Sequence, residues 1–242
     1  MNEVGRYTLR LADDSLVLGQ RLAEWAARAP SLEEDVALLN ISLDLLGTAR
    51  SLLGAVGDED ELAFLRDEPD WTSAQIMELE NGDFGQTMAR QLLVSAYQVP
   101  LWSALASSTD ALLAGVAGKA VKEATYHLDH ARSWVVRLGD GTPESRARVQ
   151  AGLEVVWPYA FELFESDALD EALAQQGIAA DPRSLEGPWR ATVDEVLAEA
   201  TLSVPDTTWR PTGGRHGRHT EAFGYLLAEM QHLHRSHPGA SW

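Results

Sequence analysis

Apolar residues recur every three to four positions through most of the chain, the period of helices with a buried face. Leu11, Leu18, Leu22, Trp25 and Ala26 mark one such face over residues 8–28, and Pro30 stops it. Ser31-Leu-Glu-Glu34 has the form of a capping box, which predicts a second helix from there to about Val56. Leu32, Val36, Leu39, Leu43, Leu46 and Leu53 form one stripe of that helix, and Leu38, Ile41, Leu45 and Leu52 form another. A helix apolar around most of its circumference is expected in the middle of the fold.

Residues 58–83 are acidic and broken by Pro69 and Asn81-Gly82, which predicts short helical pieces near 60–66 and 72–79. A third long helix is expected from Phe84 to Ser107, kinked at Pro100. Asp110 caps a fourth, to Leu138, whose seam is Leu113, Ala117, Ala120, Ala124, His127, Ala131, Trp134 and Leu138. Thr142-Pro143 starts a fifth that runs to Phe164. Two more are predicted near 168–176 and 185–203, then a Gly/Arg-rich loop over 205–219 and a last helix from Thr220 to Arg235. No strand pattern or repeat is present. The expected fold is all-α: a long-helix bundle over about 8–138 with C-terminal helices over 143–236, forming a single domain of residues 1–242.

Composition narrows the function classes. The formal net charge of −18 argues against nucleic acid and against anionic membrane surfaces. It suits a solvated surface first, and a basic partner second. With no cysteine, thiolate metal sites and iron–sulfur clusters are excluded. No apolar run is expected to approach the roughly 20 residues of a membrane span. The first residues lack the apolar core of a signal peptide, so the expected compartment is the cytoplasm.

Candidate chemistry centres on the fourth helix. Glu123, His127 and His130 share one face there, which is half of the donor pattern of a carboxylate-bridged di-iron bundle. The other half is not found. Tyr126, not histidine, follows Glu123 by three, and Gly47 follows Asp44 by three. The third helix has no Asp or Glu between Phe84 and Thr109, whereas such a site draws a carboxylate from each of four helices. A complete di-iron site is therefore not expected. Asp44, Glu123, Tyr126 and His127 are expected instead to form a degenerate site, a buried polar network without metal. Of the tail residues, His216 and His219 are expected to be solvated or at an interface. Arg215 and Arg218 either dock a partner or pair with the protein's own acids. No nucleophile elbow, dinucleotide fingerprint or zinc-protease motif is present.

Several segments carry a family resemblance: Leu9-Arg-Leu-Ala-Asp-Asp14, Leu43-Asp-Leu-Leu-Gly-Thr-Ala-Arg50, Asn81-Gly-Asp-Phe84, Lys119-Ala-Val-Lys-Glu-Ala-Thr-Tyr-His-Leu128, Arg137-Leu-Gly-Asp-Gly-Thr142 and Leu227-Ala-Glu-Met-Gln231. In these, in order from end to end, the chain resembles the C subunits of bacterial phenylacetyl-CoA epoxidases, multicomponent oxygenases of aerobic phenylacetate breakdown. The resemblance implies a ferritin-like fold. It implies a structural, non-catalytic subunit that binds no cofactor and has no catalytic residue to carry over. A homologous A subunit would hold the di-iron centre that inserts oxygen into the aromatic ring. A small B subunit and a reductase drawing on NADPH would complete the assembly, and a homodimer stays open as well. The contrasting reading is a metal-dependent oxidase or oxygenase active in its own right.

Overall fold

A computed structural model describes residues 1–240. Those residues form helices joined by turns, with no strand among them. By contacts they group into two compact units, residues 1–80 with 212–240, and residues 81–211.

In the first unit, α1 (Glu3–Ala23) and α2 (Leu32–Val56) pack along their length as a hairpin. Asn2 caps α1 through Gly5 N, and Ser31 Oγ accepts from Glu34 N to cap α2, as its sequence predicts. The helix expected over 8–28 begins at Glu3 and ends at Ala23. Ser42 Oγ donates to Gly19 O at 2.7 Å, and a Cβ on Gly19 would sit 3.3 Å from Ser42 O, so a larger residue would push the hairpin apart. α3 (Glu59–Phe64), a 3₁₀ turn over Glu68–Asp70 and α4 (Gln75–Glu78) follow.

The enclosed helix of this unit is α1, whose residues 10–19 are all buried. The sequence pattern assigns that place to α2, and the structure does not. Leu38, Ile41, Leu45 and Leu52 of α2 are buried, but Leu32, Val36 and Leu43 are 74%, 52% and 64% exposed. The hairpin with α1 covers one stripe of α2 and leaves Leu32, Val36 and Leu43 of the other exposed. α2 is also long and apolar enough, by length and composition, to cross a membrane, contrary to the sequence expectation.

In the second unit, α5 (Phe84–Leu105) packs along α6 (Ala111–Gly139) and against α7 (Pro143–Val156). α5 is buried without a break from Thr87 to Gln98 and continues through Pro100. A Cβ on Gly152 would fall 2.4 Å from Gln86 Cα, so only glycine lets α7 approach α5 this closely. The seam of α6 holds from Leu113 to Ala131, then shifts to Val135 and Gly139. The fifth helix does not run to Phe164: beyond Val156 the chain tightens into a 3₁₀ segment over Trp157–Phe164, where Pro158 supplies no N–H. α8 (Ala168–Gln175) and α9 (Glu186–Glu199) complete the unit; Trp189 of α9 is fully buried and donates from Nε1 to Leu93 O at 2.9 Å. The chain then returns to the first unit, where α10 (Glu221–Ser236) packs on α3 and α4.

Candidate functional site

α6 presents the expected candidates at its middle. His127 is 3% exposed, on the seam, with its ring edge-on to Tyr126 at 6.2 Å. Glu123 turns one oxygen to Lys119 Nζ at 2.6 Å, one turn back, and its Oε2 is buried with no hydrogen-bond partner. Tyr126 is 52% exposed, so it does not belong to a buried network. Its position one residue before a seam residue turns it outward. Asp44 is half-buried on α2 and belongs to the first unit, whereas Glu123 and His127 belong to the second.

α5 brings polar side chains to the interior but no acid. Gln91 and Ser95, one turn apart, are 2% and 1% exposed, and Gln91 Oε1 and Ser95 Oγ have no hydrogen-bond partner. Arg90 is equally buried and donates to Asn81 Oδ1 at 2.7 Å. Among the described residues no three His, Asp or Glu side chains are grouped so as to hold a metal ion. The donors that are present do not fit a di-iron pair. One carboxylate is committed to an adjacent lysine, and the interior of α5 offers an amide and a hydroxyl where a hard, charged donor is needed.

The charged cluster that does form lies elsewhere, in the first unit. Asp13, fully buried, accepts from Arg66 Nη1 at 3.1 Å and from both Thr72 N and Thr72 Oγ1 at 2.9 Å. The next residue, Asp14, receives Arg215 in the two-pronged geometry suited to guanidinium and carboxylate, at 2.7 and 2.8 Å, and accepts from Ala74 N at 2.8 Å. Arg66 also stacks over Trp71, 4.0 Å from the ring centroid. Arg21 donates to the carbonyls of Glu78 and Ala222, both at 2.9 Å.

Beside these pairs, His219 and Glu78 face each other with no exposed side-chain surface. His219 Nδ1 lies 2.8 Å from Glu78 Oε2, and its Nε2 lies 3.1 Å from Trp71 O. A carbonyl can only accept, so Nε2 carries a proton, and a second on Nδ1 completes the bond to the carboxylate. Burial works against that charged ring. The bond and field of Glu78, with the Trp71 carbonyl, outweigh it and raise the His219 pKa above 6.5. Burial also raises the Glu78 pKa above 4.5, although His219 and Thr220 N, at 2.6 Å from Oε1, pull it back. Together the two groups hold a proton firmly.

This geometry bears on the tail residues singled out in the sequence. Arg215 takes the second of its two expected roles: Asp14 and the Thr72 carbonyl take up its guanidinium from within. The His219 ring is neither solvated nor at a surface. Arg218 is exposed; its carbonyl accepts from Gln75 Nε2 at 2.8 Å. Sequence reasoning missed Asp13, Asp14, Arg66 and Glu78. The available signal was two adjacent acids flanked by Leu11, Ala12, Leu16 and Val17, since acids inside an apolar stretch require cations from elsewhere in the chain.

Both the sequence and the helical architecture have counterparts among known proteins. The model of the phenylacetic acid catabolic protein family matches residues 1–242. The chain belongs to that family. A relative in Escherichia coli (strain K12), the C subunit of 1,2-phenylacetyl-CoA epoxidase, is 48% identical over 248 residues, covering all of both chains. A solved structure from Synechococcus, of a protein with aldehyde deformylating oxidase activity, matches with a TM-score of 0.56. It covers 84% of this chain and 95% of its own, at 17% identity. At that identity the likeness concerns the fold, which is an all-α ferritin-like bundle.

Proposed function

We propose that this chain is the C subunit of a phenylacetyl-CoA 1,2-epoxidase, a structural partner bound to a catalytic di-iron subunit in aerobic phenylacetate breakdown. The carrying observation is the 48% identity to the Escherichia coli C subunit across the full length of both chains. The non-catalytic character is supported by the donor chemistry. α5 has no carboxylate to contribute, and Glu123 is neutralised by Lys119. A bound iron pair would supply oxygen activation, and in this reading it resides in the partner.

The subunit role is supported by α2. Leu32, Val36 and Leu43 lie on one helical stripe and face solvent in the chain alone. No Cβ added at Gly47 or Gly54 would meet another atom, so a partner helix could approach closely there. What this chain does in such an assembly is to hold a rigid helical surface in place. The small B subunit, the reductase and a cytoplasmic location belong to the same proposal.

Co-expression with the other epoxidase subunits tests it. The expected result is a stable complex with the di-iron subunit, and epoxidation of phenylacetyl-CoA only when both are present. A catalytic subunit that is fully active, and equally stable, without this chain would overturn the reading.

A further inference from the structure

The second unit carries a surface groove that the proposed role leaves unused. It has a volume of about 540 Å³ and lies between the end of α7 and the irregular segment that follows α9. Pro158, Tyr159, Pro205 and Trp209 supply its apolar lining, and Glu154 and Asp206 its charge. Trp209 is 58% exposed and stands edge-on to Tyr159, with ring centroids 5.3 Å apart. Val155 on α7 and Val204 on the segment are also about half exposed.

A long segment without regular structure is expensive to order unless side chains tie it down. Here Ser203 N donates to Gln150 Oε1 at 2.9 Å, and the guanidinium of Arg210 lies 3.9 Å from the Phe161 ring centroid. Those anchors turn the cation of the segment onto Phe161 and present Trp209 and Asp206 to solvent. The outcome is an exposed tryptophan beside two carboxylates, of which Glu154 accepts a neutral amide from Gln150 at 3.2 Å.

We infer that this groove receives an extended segment of another subunit of the same epoxidase, one that carries an arginine or lysine beside proline or aliphatic residues. The inference rests on the proposed role as a subunit. Charge complementarity selects the occupant: two carboxylates favour a cation and repel phosphates, which excludes the nucleotide end of a CoA ester. The exposed faces of Trp209 and Tyr159 add a cation–π surface for the same group. Paired rings and prolines along an open groove match the way extended, proline-containing chains are bound on aromatic-lined surfaces. An exposed tryptophan is also the residue type that most often dominates a contact.

The chain has no cysteine, so Thr207→Cys creates a unique labelling position in the groove. The experiment attaches a photoactivatable benzophenone maleimide there, reconstitutes the complex from co-expressed subunits and maps cross-links by mass spectrometry. The expected product joins residue 207 to a segment of another subunit that contains arginine or lysine. In parallel, Trp209→Ala and Glu154→Gln/Asp206→Asn, all exposed positions, are expected to weaken assembly about tenfold or more while leaving the melting temperature unchanged. Cross-links to a second copy of this chain, or none in an intact complex, would overturn the inference. So would unchanged affinity in both variants. If the unmodified chain assembles with no other subunit, it is the proposed function that fails.

Discussion

The guanidinium of Arg215 lies 2.7 and 2.8 Å from the carboxylate of Asp14, two residues separated by 201 positions in the chain. Asp14 is buried, and the Arg215 side chain is 16% exposed. The pair therefore fastens the C-terminal segment to the enclosed helix of its unit. Removing one partner leaves the other charge without compensation. We expect Arg215→Ala to cost about 3–5 kcal/mol of stability, measured by urea unfolding. Replacing both residues, by Asp14→Leu with Arg215→Met, should recover most of that loss. A single variant as stable as the parent would show that the pair does not hold the segment.

The proton shared by Glu78 and His219 gives the same region a pH dependence. Both pKa values are raised in the folded chain, so the folded state binds more protons than the unfolded one. The contribution of His219 is complete below its unfolded value of 6.5 and is lost as pH rises through its folded value; Glu78 acts in the same direction above 4.5. Stability should therefore decline as pH rises above 6.5. Urea midpoints across that range should fall in the parent and stay flatter in His219→Gln. Parallel pH profiles would refute the pairing.

The uncovered stripe of α2 predicts a separation of stability from assembly. Val36→Glu and Leu43→Glu alter exposed positions and should change folding stability by no more than about 0.5 kcal/mol. The same changes should abolish or strongly weaken association with the catalytic subunit, read by size-exclusion chromatography. An intact complex with both glutamates present would place the interface elsewhere.

Metal content provides the fourth prediction. Purified alone, the chain should hold iron well below stoichiometry and consume no oxygen, because α5 offers no carboxylate. Elemental analysis and an oxygen electrode decide this. Iron near two per chain, with the absorbance of an oxo-bridged pair, would restore the reading of an independent oxygenase.

Most helices were legible in the sequence, because period and caps are local signals. Ser31, Asp110 and Thr142 each accept the capping bond that their positions predict. The burial of α2 was not legible. Its two apolar stripes look alike in the sequence, and only the pairing with α1 decides which is covered. The break after Val156 was missed because the apolar run through Trp157-Pro158 continues without any change in hydrophobicity. At the candidate site, the missing acids on α5 could be read directly. The partners of Asp13 and Asp14 could not, since Arg66 and Arg215 reach them across 53 and 201 positions, and sequence spacing carries no information about such pairs.

The first unit is assembled from both ends of the chain, while the second is continuous. During synthesis, every residue of the second unit is therefore available once residue 211 has emerged. The segment before them cannot finish until residues beyond 212 arrive with Arg215 and His219. A translation product that stops early would retain Asp14 and Glu78 without their cations and with the face of α4 uncovered. Only a chain that reaches Arg215 and His219 escapes that defect, and products that stop earlier are left open to proteolysis.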